Sequence, residues 1–507
     1  MGGILRSARL VVLVAALAAP GAADLLCLKD GRVVEGRKLS RAEGGNVVVH
    51  FENGDVRVPA ALIEDYVIEG EPPLAPTTPE EIAQAEKGLV RFEGKWVTPR
   101  RRDDLIAKRV AERKAELDEL ASHRLWRNRY TESTKHFAFE HTLPRDAFEV
   151  LRDLMEAYFA AFCRDWRIKP PKDLGALKVC LYHDYDTFLQ VGGAGQGVLG
   201  YFRFVKPMEL NFFYDRLDPE FTEEVMFHET NHYLQKLIDV DFSYPHFPGE
   251  SLAEYYGASH FDPKTKKLTT GLILEGRLTE VQTDFQRGEW MDLEKLITTE
   301  MYEHYTWGWS LVHFLMSEKR YDAKFQKFFT SLPVAKGIRK VEMGRDNLRT
   351  IEQKDVLGPF MEALGLKDKE ALGALQKEWH AYVKELPLVS ARGYEEAAYK
   401  AASMYPPRPI KAKRLFEEAL ALGAKNPMTY HRFAELLHRE GEHERALGLW
   451  KQAIEMDPLI GEFYWGMARA ARAKGKKDEA KRLSKLAREI DPEIWHVDLE
   501  DLEAVDK

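Results

Sequence analysis

The sequence predicts a multidomain α+β protein, and three observations lead there. At 507 residues the chain exceeds what one hydrophobic core organises, so about three folded units are expected. Its 45% hydrophobic and 31% charged residues belong to a globular protein, not to a disordered tail or a membrane bundle. The hydrophobic period also changes along the chain: alternation at the start, a mixed centre, and a helical repeat at the end.

Residues 1–23 read as a secretory signal peptide. Arg6 and Arg9 make a basic start, residues 10–19 an apolar run too short to span a bilayer, and Gly21-Ala22-Ala23 a small-residue cleavage site. The mature chain is expected to begin at Asp24 and to be periplasmic or secreted, and no later segment is apolar enough for a membrane span. Removing the two arginines takes the formal charge from −8 to −10. So acidic a chain makes nucleic acid an improbable partner. Cys27, Cys163 and Cys180 are too few for a disulfide framework or a cysteine-based metal site. Cys163 and Cys180 could be bonded or stand as separate thiols.

Across residues 24–70, apolar and polar residues alternate around turn signals at Asp30-Gly31, Gly44-Gly45-Asn46 and Asn53-Gly54. Four or five strands are expected, in a small β-barrel-like unit resembling SH3-like or Sm-like barrels. Residues 71–132 read as a linker, opened by Glu71-Pro72-Pro73, and then a charged helix with Leu105, Val110, Leu117, Leu120 and Leu125 at helical spacing. Residues 133–390 alternate helix-like and strand-like stretches. A hairpin is expected around Lys206-Pro207, and a helix from Pro219 through Leu237. In residues 391–507, Tyr430, Gly441, Ala446 and Pro458 recur 34 residues later as Tyr464, Gly475, Ala480 and Pro492. That spacing resembles tetratricopeptide repeats, α-helical hairpins that bind protein partners, with a degenerate third copy around residues 411–422.

The chemistry lies in His228-Glu229-Thr230-Asn231-His232. On a helix, residues four apart share a face, so both imidazoles can converge on one Zn²⁺ with Glu229 beside the open coordination position. After His232 there is neither the Gly nor the third His that a metzincin requires. Pro248-Gly249-Glu250-Ser251-Leu252-Ala253-Glu254 comes next instead, so Glu250 is expected as third ligand, completing a His₂Glu set. Glu254, one turn on, is placed to accept a ligand histidine's ring N–H.

Together these motifs resemble the gluzincins, the thermolysin-like and aminopeptidase-like zinc peptidases of the peptidase MA group. The second motif departs from theirs at Gly249 and Ser251, neither of which is a ligand. The resemblance implies a two-lobed zincin catalytic domain over residues 133–390. It extends to Tyr305-Thr306-Trp307-Gly308, where it implies that the Tyr305 hydroxyl donates to the oxyanion of the reaction. Tyr302, Tyr305, Trp309 and His313 also suit a core-facing aromatic stripe, and both readings stay open at this point. His260, His304 and His313 have no spacing that marks them as ligands.

The expected function is therefore a secreted zinc-dependent metallopeptidase, hydrolysing peptide bonds with zinc-activated water and Glu229 as base. An aminopeptidase's amino-terminus-binding strand has only a faint echo in Met208-Glu209-Leu210-Asn211, so endopeptidase action is expected, with residues 200–204 as an edge strand for substrate. The rivals are an adaptor that uses its repeats for protein binding, and a zinc hydrolase of non-peptide amides.

Overall fold

Alternation after Asp24 gives short strands, in a computed structural model that describes residues 24–69, 76, 78–92, 94–171, 174–343, 346–387, 390–404 and 406–494. The expected signal peptide, and the expected linker over residues 71–75, lie outside the described residues. The chain divides into two units, Met1–Glu119 with Leu437–Lys507, and Leu120–Leu436.

In the first unit, Leu25–Leu28 pairs antiparallel with Val33–Glu35 and with Ile63–Val67. Lys38–Arg41, Val47–Phe51 and Gly54–Val58 form a second antiparallel sheet in that order. Six strands thus stand where four or five are expected, and the described residues form no closed barrel. The turn Ala60–Leu62 carries the chain out of one sheet and into the other, and no pairing joins the two. The helix Pro99–His123 covers the first sheet instead. Ile106 is buried with Leu25 and Phe92, and Leu105 and Val110 pack beside them. Burying that face against a helix does what barrel closure would have done.

The helices His443–Met456, Gly461–Ala473 and Lys477–Ile490 belong to the same unit. Arg32 pairs with Asp457 at 2.5 Å, the Asn53 N–H donates to Glu489 at 3.2 Å, and Arg113 pairs with Glu493.

The second unit is built on a five-stranded sheet in the order Gly200–Arg203, Glu209–Phe213, Leu177–Tyr182, Phe137–His141, Tyr130–Ser133. Its inner three strands are parallel and both edge strands antiparallel. Phe137, Phe139, Val179, Leu210 and Phe212 join one core with Phe148, Leu151, Met155 and Phe162 of the helix Arg145–Asp165. The hairpin expected around Lys206-Pro207 is present as Gly200–Arg203 and Glu209–Phe213. Asp218 caps the helix Pro219–Lys236 by accepting from the Phe221 N–H, with Pro219 in the first turn, where its missing donor costs nothing. Beyond Lys236 this unit is mostly helical, with His246–Gly257, Glu275–Gln286 and Trp307–Ser317 among its helices.

The C-terminal part is a helical array. Ala391–Ser403 pairs with Pro409–Ala421, Pro427–Arg439 precedes His443–Met456, and Gly461–Ala473 precedes Lys477–Ile490. Gly441 and Gly475 take φ of +84° and +76° in the turns, a conformation that disfavours any side chain. Ala446 and Ala480 are buried. The hydroxyls of Tyr430 and Tyr464 donate to the carbonyls of Ala424 and Pro458, six residues back in each case. No helix of the described residues is long and apolar enough to cross a membrane. Cys163 and Cys180 are free thiols, and burial pushes both up to about 11.

Candidate metal centre

His228 and His232 lie one turn apart on the helix Pro219–Lys236, and Glu250 reaches them from His246–Gly257. Glu250 Oε2 is 3.2 Å from His228 Nε2 and 3.4 Å from His232 Nε2, and the two nitrogens are 3.3 Å apart. Ligands 2.0–2.2 Å from a tetrahedral ion are separated by about 3.3–3.6 Å, so this donor set fits Zn²⁺ in size as well as in chemistry. Among the described residues it is the one such group of His, Cys, Asp and Glu that could hold a metal.

A buried carboxylate braces the group from behind. Glu254, 4% exposed, lies with Oε1 3.3 Å from His228 Nδ1. Accepting the Nδ1 proton leaves the lone pair of His228 on Nε2, the nitrogen that faces the other two donors. Arg277 holds Glu254 with two bonds of 2.8 Å, one to each carboxylate oxygen. Burial works against the Glu254 charge, but Arg277 outweighs it and keeps the carboxyl below its usual range. Glu250 is likewise held well below its usual range, because His232 and His228 outweigh the cost of burying it. For His228, burial opposes the positive charge, yet Glu250 and Glu254 raise it well above the ordinary imidazole range in the metal-free chain.

Glu229 points to the sheet side. Its Oε2 accepts from the N–H of Phe202 at 3.0 Å, on the edge strand Gly200–Arg203. A Cβ on Gly200 would lie 2.6 Å from Val225 and 3.3 Å from the Glu229 side chain, so glycine is what lets this strand lie so near the helix. Burial raises Glu229, and His228 and His232 temper the rise.

Tyr305 comes directly after the short turn Tyr302–His304, its ring 6.1 Å from that of His228 and nearly parallel to it. The aromatic stripe therefore divides. Trp309 and His313 are buried in the core, whereas Tyr305 lies beside His228 and the Tyr302 hydroxyl accepts from Arg277 at 3.1 Å.

Two residues near the group carry no motif. Arg277 stands 23 positions beyond Glu254, and only tertiary packing joins them. His246 donates from Nδ1 to Nδ1 of His304 at 2.7 Å, because the Nε2 proton of His304 is committed to the Leu296 carbonyl, also at 2.7 Å. The ring of His246 packs edge-on to Tyr305 at 5.3 Å. The non-helical Phe247 separates it from the regular turns that carry Glu250, so helical spacing does not mark it.

No family model matches the chain, and no curated protein matches it. Among solved structures the chain is similar to YrrB, described as a TPR protein with an unusual peptide-binding site. The two share 16% identity over 30% of this chain and 82% of that one, with a TM-score of 0.22. At that score the likeness carries no weight for function.

Proposed function

We propose that the chain is an exported zinc metallopeptidase of the gluzincin kind, in which His228, His232 and Glu250 hold the ion. The observation that supports this most is the near-equality of the three donor separations at the spacing of one tetrahedral ion. Zn²⁺ bound there would supply a Lewis acid and a water with a pKa near about 7. Glu229 is the general base. Phe202 anchors one of its oxygens, leaving the other to take a proton and return it to the leaving amine. Its raised pKa suits a group that must both accept and release a proton. Tyr305 is the hydrogen-bond donor to the carbonyl oxygen under attack.

Endopeptidase action draws support from the edge strand. Phe202 turns its N–H away from Glu209–Phe213 and onto Glu229, which leaves the other outward backbone groups of Gly200 and Phe202 for an extended peptide beside Glu229. The helical array is read as tetratricopeptide repeats that take a protein partner, and export rests on residues 1–23.

Protein prepared without chelator should contain about one zinc per chain and cleave unstructured peptides, with cleavage lost and zinc retained in Glu229→Gln. A chain without zinc would overturn the proposal. Zinc without peptide hydrolysis would leave an adaptor or a hydrolase of non-peptide amides.

A further inference from the structure

The Glu254–Arg277 pair continues outward from the metal group. Arg277 and Glu280 sit three residues apart on the helix Glu275–Gln286, joined from Nη1 to Oε1 at 3.4 Å. Both are nearly buried, Arg277 at 7% and Glu280 at 6% exposure. The other oxygen of Glu280 accepts from Lys411, on the array helix Pro409–Ala421. The Arg408 guanidinium, at the start of that helix, lies 4.6 Å from the ring centre of Tyr302, whose hydroxyl Arg277 also bonds. An unbroken line of charged contacts thus runs Lys411, Glu280, Arg277, Glu254, His228.

The backbones are close as well. A Cβ on Gly393, in Ala391–Ser403, would stand 2.4 Å from Thr279 Oγ1 and 3.0 Å from the Glu275 carbonyl. One on Gly276 would stand 2.8 Å from Glu396 Cβ and 3.2 Å from the Ala397 nitrogen. Glycines facing from both helices allow this approach, which fixes the helix carrying Arg277 against the array.

We infer that the first two helices of the array are part of the metal centre's support: Lys411 and Glu280 are positioning residues that hold Arg277, and through Glu254 they fix the ring of the ligand His228. Two pairs of side chains do this. Lys411 neutralises Glu280, which would otherwise compete with Glu254 for Arg277 as a second buried anion. Arg277, clamped by two bonds, then sets where Glu254 meets the imidazole. Removing a partner of this kind from behind a metal ligand typically lowers metal affinity by about 10–100-fold. Lys411, four contacts from His228 and 30% exposed on its side chain, should matter less, by at most about fivefold.

The inference rests on the zinc reading, and zinc affinity of the full chain tests it, by competition with a chromophoric chelator at fixed pH. Lys411→Met should weaken zinc about two- to fivefold, and Lys411→Arg should restore it. In a Glu254→Gln background the same Lys411→Met change should have no further effect, which general destabilisation would not produce. Wild-type affinity in Lys411→Met, or losses that simply multiply in the double variant, would overturn the inference and leave the peptidase reading standing. A wild-type chain that takes up no zinc would overturn both.

Discussion

Glu250 and Glu254 stand one turn apart, each held by cationic partners, yet their alanine variants should fail in different ways. Glu250→Ala removes a donor whose side chain is 21% exposed and whose neighbours are the two histidines. Metal affinity should fall further than the roughly 10–100-fold expected for loss of a supporting group, while the metal-free fold changes little. Glu254→Ala removes the two bonds that Arg277 makes to that carboxylate and leaves the guanidinium, 7% exposed, with only the longer contacts to Glu280 and the Tyr302 hydroxyl. Breaking a buried pair in this way costs about 3–5 kcal/mol. At about 2 °C per kcal/mol for a large unit, the thermal midpoint should drop by roughly 6–10 °C. Zinc affinity should drop only by the supporting-group range. Adding Arg277→Met to Glu254→Ala removes the stranded charge, so it should recover most of the midpoint and none of the affinity. Chelator competition and thermal unfolding of the metal-free protein read the two effects separately. If Glu254→Ala abolished zinc binding while Glu250→Ala kept it, the third ligand would be misassigned and the His₂Glu set with it.

The same geometry sets further outcomes. Glu229→Gln should abolish turnover with zinc retained, checked by metal analysis beside a peptide-cleavage assay. Tyr305→Phe should also keep zinc and slow single-turnover cleavage by about 100-fold or more, the usual scale for a lost oxyanion donor; an unchanged rate would return Tyr305 to the aromatic stripe. Zinc binding should release protons at neutral pH. Glu250 and Glu254 raise His228 above its ordinary value, so its charge persists upward into that range, is lost as pH rises through the raised pKa, and must be shed to ligate. Calorimetry in buffers of different ionisation enthalpy measures the count, and a buffer-independent heat would contradict it. Gly393→Ala, which drives a methyl to 2.4 Å from Thr279 Oγ1, should destabilise the unit by about 1–3 kcal/mol, read as a lower thermal midpoint.

What was legible in the sequence was whatever a local pattern encodes. The helix Pro219–Lys236 announces itself by Asp218 and Pro219 at its start, and the four-residue spacing of His228 and His232 sets their common face. Glu250 and Glu254 are legible for the same reason, one turn apart on the next helix. Gly441 and Gly475 mark their turns because a positive φ selects glycine. The barrel expected of residues 24–70 failed because alternation specifies strands and not their partners. Whether a sheet closes on itself or under a helix depends on Ile106, well beyond the last of those strands. Arg277 was invisible for a related reason, since a lone arginine between Leu274 and Leu278 has no period or motif. His246 was overlooked because its partner is another histidine 58 residues away.

The pairing of Arg32 with Asp457, and of Arg113 with Glu493, has a consequence in time as well as in space. Ribosomes deliver a chain from its first residue, and domains generally fold as their residues emerge. Residues 120–436 can therefore organise as soon as they are made. The strands before them can pair with one another early, but their contacts with Asp457, Glu489 and Glu493 have to wait while that whole unit is synthesised. Arg32 and Arg113, made early, are thus among the last to meet these partners, and a ribosome stalled before residue 457 would hold a nascent chain whose central unit is built while both still lack these acids.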